Sequence, residues 1–319
     1  MRLETNNNSE ELFIRYNNLR GYLAIVVLLS HIWGYTGLVY LVPFNKIVTI
    51  AVAMFFFLSG WGMIRSAGKK EHYVKEIFIT KIPFLLWMAM LAYVFSAILE
   101  NVLLANSETA EFLPLSIIRF VKSTNWYVWE LIGFYLIFSI CIRYIRKQYW
   151  LLMVGGLSAV AFVVLFHMDV VEAYYNSIIG FVVGMYWGSR TVESPNARGA
   201  KTQICAVIVL IISFGCMFVL NHESILFAVV RNIAAVAGIV LVLWVLQYWN
   251  PVDSVSKWLS KISPELYFYH MPIALIFSKL SMNVTLYVVS VIITSTVVAV
   301  VFNIIDKWVQ KRLKKCTCK

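Results

Sequence analysis

Two ionisable residues in the first apolar segment of the 319-residue chain have a spacing that suits chemistry. Arg20 and His31 lie eleven positions apart, which is about three helical turns with a residual rotation of only about 20°. Both side chains therefore share one helix face, roughly 16 Å apart along the axis. A guanidinium can hold a phosphate-bearing head, and an imidazole can take a proton from a reactive group at the end of a long arm. The structural alternative is that Arg20 is a surface anchor and His31 a packed polar residue.

Two further ionisable residues inside apolar segments, Glu130 and His270, are candidates for substrate contact. Glu130 follows the aromatic run WYVW (126–129), and its carboxylate could orient His31 or bind an acceptor hydroxyl. Trp126 could form a platform for a sugar. The alternative is that the aromatic run forms a belt at a membrane surface, where Glu130 stays in contact with water.

His270 lies in the segment SPELYFYHMP (263–272). Ser263 followed by Pro264 predicts the N-cap and first turn of a helix, with His270 about two turns later. Pro272 predicts a kink that frees a backbone carbonyl beside His270. A kink that serves only helix packing is the alternative.

The composition indicates what kind of element must position these residues. Hydrophobic residues make up 61% of the chain and charged residues only 13%, whereas ordinary soluble domains are roughly 25% charged. The net charge of +11 is dispersed between apolar runs, which argues against a nucleic-acid binder. Five scattered cysteines exclude a secreted disulfide scaffold. The class is therefore a polytopic membrane protein, in which a buried ionisable group is costly and a functional candidate.

Ten segments approach the length of about 20 mostly apolar residues that a spanning helix needs. Two of them contain one acid each, namely 123–142 with Glu130 and 262–278 with Glu265. Eight are free of charge: 21–45, 47–64, 82–99, 148–168, 173–189, 202–222, 232–252 and 280–305. We predict an all-α integral membrane protein, a bundle of about ten transmembrane helices.

The distribution of basic residues predicts the orientation of this bundle. With the N-terminus in the cytoplasm, 22 of the 27 Lys and Arg residues lie in cytoplasmic segments and 5 in outer ones, as the positive-inside rule requires. Both termini are then cytoplasmic. We expect a single transmembrane domain over residues 1–319, with a basic cytoplasmic tail at 307–319 and no attached soluble domain.

Smaller features of the sequence point to structure rather than chemistry. Gly180, Gly184 and Gly188 recur at every fourth position, a spacing that allows close helix packing. Cys316 and Cys318 in the tail are too few ligands for a zinc site. No metal site is indicated elsewhere.

Five motifs, in order along nearly the whole chain, resemble acyltransferase family 3, the membrane O-acyltransferases of bacterial surface glycans. RYNNLRGYLAIVVLLSH (15–31) is similar to the family's opening, in which an Arg, ten residues and a His occupy the first span. FFFLSG (55–60), ITKIPFLLW (79–87) and NWYVWELIGFYLIF (125–138) resemble its second, third and fourth spans. SPELYFYHMP (263–272) is similar to its late Ser…Tyr…His-x-Pro element.

The resemblance implies transfer of an acyl group, usually acetyl, from cytoplasmic acetyl-CoA to a carbohydrate hydroxyl on the far side of the membrane. It implies that Arg20 and His31 are the essential pair. Arg20 would hold the CoA phosphates with Arg65 or Lys69, which follow the second span, where the family often has an arginine-rich stretch; this chain has one Arg there, followed by Lys69 and Lys70. His31 would act as general base or carry the acyl group, and no metal is implied.

The acceptor and the location follow from the same resemblance. We expect Glu130, Trp126 and His270 to contact the acceptor, a cell-surface polysaccharide or its lipid-linked precursor. The protein would be a multi-pass protein of the bacterial inner membrane that O-acetylates a component of the cell envelope. Its partners would be acyl-CoA, the glycan and the lipid bilayer, and not nucleic acid.

Two other functions are compatible with a membrane protein of this composition. A transporter or flippase for a lipid-linked glycan would use the same buried charges without making a bond, but it should show paired broken helices in both halves of the chain. A polysaccharide polymerase should have a large outer loop rich in Arg and His. The longest outer loop here, 100–124, contains only Arg119 and Lys122 as basic residues.

Overall fold

The computed structural model describes residues 13–103, 120, 126–168, 170–189, 200–249, 253–280 and 282–317. These residues are overwhelmingly helical and contain no β-strand. The prediction of an all-α protein is confirmed. The predicted outer loop at 100–124 lies mostly outside the described residues.

The described residues form ten helices of eleven residues or more, and each of the ten predicted spans overlaps at least one of them. They are α1 Arg20–Thr36, α2 Val42–Lys69, α3 Ile82–Leu103, α4 Trp126–Tyr144, α5 Trp150–His167, α6 Ile179–Ser189, α7 Ala200–Val219, α8 Ile225–Tyr248, α9 Ser254–Ser278 and α10 Val284–Thr317. A short helix at Tyr73–Glu76 and a π-helical turn at Ile77–Lys81 precede α3.

Seven of these helices are long and apolar enough to cross a membrane, namely α2, α3, α4, α5, α7, α8 and α10. The other three differ for separate reasons: α1 has 17 residues and α6 has 11, whereas α9 is long enough but contains no sufficiently apolar stretch. A count of ten spans and a cytoplasmic location of both termini stay predictions. Residues 307–317 of the predicted tail continue α10 as one helix.

The prediction that Ser263 and Pro264 open a helix is wrong, because α9 begins nine residues earlier at Ser254. Asp253 caps this helix: the backbone N–H of Ser256 donates to its carboxylate at 2.6 Å, and this bond lowers the pKa of Asp253. Pro264 lacks the backbone N–H that would otherwise donate to the carbonyl oxygen of Ser260, one turn earlier in the helix. The hydroxyl of Ser263 donates to that carbonyl instead, at 3.1 Å, and the helix continues.

The chain divides into two compact units, of which the first comprises Met1–Leu23, Thr49–Val74 and Gly133–Lys257. In this unit α6 packs on α2 through the predicted glycine stripe. A Cβ atom at Gly180 would overlap the carbonyl of Ala53, and one at Gly184 would overlap the carbonyl of Phe57. The prediction of close helix packing is confirmed.

The second unit comprises Ala24–Val48, Lys75–Ile132 and Trp258–Lys319. Its core joins α3, α4 and α9 around buried apolar side chains: Met88, Ala89, Ala92, Val128, Phe268, Tyr269 and Ile273. Hydrogen bonds between polar side chains join α10 to α9 and α3. Asn303 donates to Glu265 Oε1 of α9 at 2.8 Å, and the indole of Trp87 in α3 donates to Asp306 Oδ1 at 2.8 Å. These contacts hold α9, the helix that carries His270.

Candidate active site

Two histidines from distant parts of the chain meet within the second unit. His31 lies on α1 and His270 on α9, and their ring centroids are 5.1 Å apart with an interplanar angle of 38°. His270 is only 2% exposed, whereas His31 is partly exposed. The structure therefore brings together a residue predicted to be catalytic and one predicted to contact the acceptor.

The hydrogen bonding of His270 determines which of its nitrogens carries a proton. Nδ1 lies 2.9 Å from the carbonyl oxygen of Leu266, one turn earlier on α9. A carbonyl oxygen only accepts hydrogen bonds, so Nδ1 is the donor and the neutral ring keeps its lone pair on Nε2. Nε2 is buried and has no hydrogen-bond partner. An unpartnered buried acceptor is costly, and Nε2 is available to accept a hydrogen bond.

Two tyrosines extend this group of side chains. The ring of Tyr267, three residues before His270 on α9, lies 6.0 Å from the imidazole. Tyr127 of α4 contacts Tyr267 with a centroid distance of 5.1 Å. The rings of His31, His270, Tyr267 and Tyr127 thus form a continuous row contributed by α1, α9 and α4.

Glu130 lies beside this row, one turn after Tyr127 on α4. Its side chain is 8% exposed, and neither carboxylate oxygen has a hydrogen-bond partner. It interacts electrostatically with Tyr267. Trp126 precedes it by four residues, on the same face of α4, and its ring contacts that of Tyr127 at 6.1 Å. The roles expected for Glu130 and Trp126 stay predictions.

Arg20 and His31 lie on one uninterrupted helix, since α1 begins at Arg20 and continues to Thr36. The helical geometry from which their common face was predicted is therefore present. Arg20 belongs to the first unit, where the neighbouring Tyr22 contacts Trp249 at 5.7 Å.

The other two predicted CoA ligands lie near the end of α2, also in the first unit. The guanidinium of Arg65 lies 5.2 Å from the ring centroid of Phe13. Phe13 also contacts Trp61 of α2 at 5.5 Å, so the segment before α1 packs on the end of α2 that carries Arg65. Lys69 is the last residue of α2 and is exposed.

Sequence reasoning missed the two tyrosines and the contact between the histidines. The tyrosines had a detectable signal, because Tyr127 lies three residues before Glu130 and Tyr267 three residues before His270, a spacing that places side chains on one helix face. The meeting of His31 with His270 had none, since it depends on how α1 and α9 pack. Among the described residues, no three His, Cys, Asp or Glu side chains are grouped so that they could bind a metal.

This arrangement can move a proton within a site that is largely shielded from water. An imidazole lone pair, a second imidazole, a buried carboxylate and two phenols are the groups with which proteins deprotonate a hydroxyl and stabilise the resulting charge. The guanidinium groups of Arg20 and Arg65, both in the first unit, are of a kind that binds phosphate.

Comparison with known proteins identifies the family. No curated protein and no solved structure matches the chain significantly. The model of the acyltransferase domain of acyltransferase family 3 matches residues 13–304, which include all the site residues described above. This match covers nearly the whole chain, and the chain belongs to acyltransferase family 3, the membrane acyltransferases.

Proposed function

We propose that this acyltransferase moves an acyl group, most simply acetyl, from cytoplasmic acyl-CoA to a hydroxyl of a cell-surface polysaccharide or its lipid-linked precursor in the bacterial inner membrane. The observation that carries the proposal is the contact of His31 with the buried His270, beside the buried Glu130, in a chain of an acyltransferase family. In the reaction the C–S bond of the thioester breaks and an ester C–O bond forms. The proton of the hydroxyl ends on the thiol of CoA.

The donor would bind from the end of α1 that carries Arg20. A guanidinium binds phosphate oxygens through two parallel hydrogen bonds, and Arg65 and Lys69 add positive charge in the same unit. The pantetheine arm would follow the Arg20 and His31 face of α1, which spans roughly 16 Å between the two residues. This length is the reason for preferring a CoA thioester over a small acyl donor.

The acceptor would bind beside Glu130 and the tyrosines. Sugars present hydroxyl groups on their edges and C–H groups on their faces, so a carboxylate next to aromatic rings suits both surfaces. The two unpartnered oxygens of Glu130 are acceptors for such hydroxyls. This composition of the site supports a carbohydrate over an apolar alcohol.

A reconstituted assay tests the proposal. We expect the purified protein in proteoliposomes to transfer label from [14C]acetyl-CoA to at least one of chitotetraose, a xylo-oligosaccharide and a polyprenyl-linked sugar. His31→Ala should be inactive, and His167→Ala is the matched control because His167 is an exposed histidine at the end of α5. Movement of a labelled lipid-linked sugar across the membrane, without turnover of acetyl-CoA, would instead establish the flippase.

A further inference from the structure

We infer that His270 is a second catalytic histidine, whose Nε2 takes the proton from the acceptor hydroxyl, while His31 serves the acyl donor. This inference rests on the proposed function and divides the chemistry between the two rings. It assigns to His270 a step that the Arg20 and His31 pattern alone would give to His31.

The first argument is the tautomer of His270. Its Nδ1–H is committed to the carbonyl of Leu266 at 2.9 Å, so the ring cannot rotate without losing that bond. The lone pair is thereby held on Nε2, in the orientation that a general base needs. A backbone carbonyl that orients a basic imidazole plays the part that a carboxylate plays in other histidine-dependent enzymes.

The second argument is the environment of Nε2. The atom is buried and lacks any hydrogen-bond partner, and the whole residue is 2% exposed. A histidine that only filled space here would leave this buried polar atom unsatisfied, which is costly. An acceptor hydroxyl bound at Nε2 would donate the missing hydrogen bond and would be positioned for deprotonation.

The proton then has a short path to the leaving group. The O–H bond of the acceptor breaks, its oxygen attacks the acyl carbon, and the C–S bond breaks to release a CoA thiolate. The proton held on His270 must reach that thiolate. His31 is in contact with His270, with ring centroids 5.1 Å apart, and lies on the helix that begins at Arg20. It is therefore placed to receive the proton and deliver it to the thiolate.

The division of roles between His270 and His31 is tested by substituting His270 and by replacing the sugar hydroxyl with a different nucleophile. His270→Asn retains an amide N–H near the Nδ1 position but has no base, and His270→Gln is a second variant in case the first does not fold. The matched control is Tyr269→Phe, which removes an unpartnered hydroxyl from the adjacent, fully buried residue. Each protein is assayed with [14C]acetyl-CoA and either a sugar acceptor from the proteoliposome assay or hydroxylamine, which attacks acyl groups without being deprotonated first.

We expect His270→Asn to lose on the order of 10²–10⁴-fold in the rate of transfer to the sugar, the usual contribution of a general base. Transfer to hydroxylamine, above the rate without enzyme, should stay close to that of the wild type. Tyr269→Phe should retain both activities. Together these results would establish His270 as the base for the acceptor.

Two results would overturn the inference while leaving the proposed function intact. One is a wild-type rate of transfer to sugar in both His270 variants. The other is an equal loss with sugar and hydroxylamine in variants that still bind acetyl-CoA, because His270 would then act on the donor. Failure of the wild-type protein to acetylate any sugar would instead overturn the proposed function itself.

Discussion

The two histidines of the site differ in what holds their rings. The His270 ring is held by the carbonyl of Leu266, whereas the His31 ring is positioned by its packing against His270. Packing alone does not fix which nitrogen of His31 carries the proton. This difference makes His31 the residue whose chemical role, proton transfer or acyl carriage, needs a direct experiment.

The first prediction for individual residues concerns the substitution of His31. We expect His31→Ala to abolish acyl transfer, by at least the 10²–10⁴-fold typical of a lost proton-transfer group, while binding of acetyl-CoA is retained. Incubation with labelled acetyl-CoA and no acceptor separates the roles. Label retained on the wild type and absent from His31→Ala would indicate an acyl carrier, and no retained label would indicate proton transfer. Near-normal activity of His31→Ala would contradict the mechanism.

Arg20 allows a second prediction, about the shape of the charged group. Arg20→Lys keeps the positive charge but loses the planar fork that binds two phosphate oxygens. We expect acetyl-CoA to bind about 1–3 kcal/mol more weakly, which is roughly 5- to 160-fold in Kd. Isothermal titration of the purified protein measures this change. Arg143→Lys, at an exposed arginine in the last turn of α4, is the control, and equal binding by both variants would assign Arg20 a structural role.

At the scale of elements, the protein depends on helices that approach each other closely. The glycines of α6 let its backbone lie directly against the carbonyls of α2. This contact positions α2, the helix that carries Arg65 and Lys69. The short α6 therefore contributes to the candidate CoA site without supplying a ligand.

Gly184→Ala tests this packing. Its Cβ would overlap the carbonyl oxygen of Phe57, a backbone atom that can move only if a helix moves. We expect a loss of about 1–3 kcal/mol in stability, the range for overpacking, seen as a lower Tm in detergent. Gly156→Ala on α5 is the matched control because no atom lies within 4 Å of its added Cβ. Equal melting temperatures of the two variants would show that α6 is not closely packed in the membrane.

At the scale of the whole molecule, the proposed function depends on membrane topology, because it puts the acyl donor and the glycan acceptor on opposite sides of the membrane. In the proposed function acetyl-CoA reaches Arg20 from the cytoplasm, and the charge bias of the connecting segments predicts that this end of α1 lies inside. Seven helices are long and apolar enough to cross a membrane, and α1, α6 and α9 complete the predicted ten only if they also span it.

Reporter fusions test this topology. We expect fusions at Lys319 and within the 100–124 loop to report opposite sides of the membrane, with Lys319 in the cytoplasm. A fusion after His222, in the connection between α7 and α8, provides an independent outer position in the ten-span prediction. A periplasmic signal at Lys319 would contradict an even number of spans.

The fold class and the position of nearly every helix could be predicted from local sequence. Apolar runs of about 20 residues need hydrogen-bonded backbone in a membrane, and a helix is the only way a single segment provides it. All ten predicted segments overlap helices for this reason, although α1 ends at Thr36 and α2 begins at Val42, both within the first predicted segment, 21–45. Helix ends were less predictable: α9 passes through Pro264 because the hydroxyl of Ser263 replaces the missing backbone donor, a compensation that hydropathy does not reveal.

The candidate residues Arg20, His31, Glu130 and His270 were also evident in the sequence, because ionisable groups are conspicuous in apolar segments. Their grouping was not. His31 and His270 are more than 200 residues apart in the chain, and their contact depends on the mutual rotation of α1 and α9. The free lone pair on Nε2 of His270 depends in turn on a 2.9 Å hydrogen bond within α9. Such facts belong to side-chain packing in three dimensions, which neither periodicity nor residue spacing along the chain specifies.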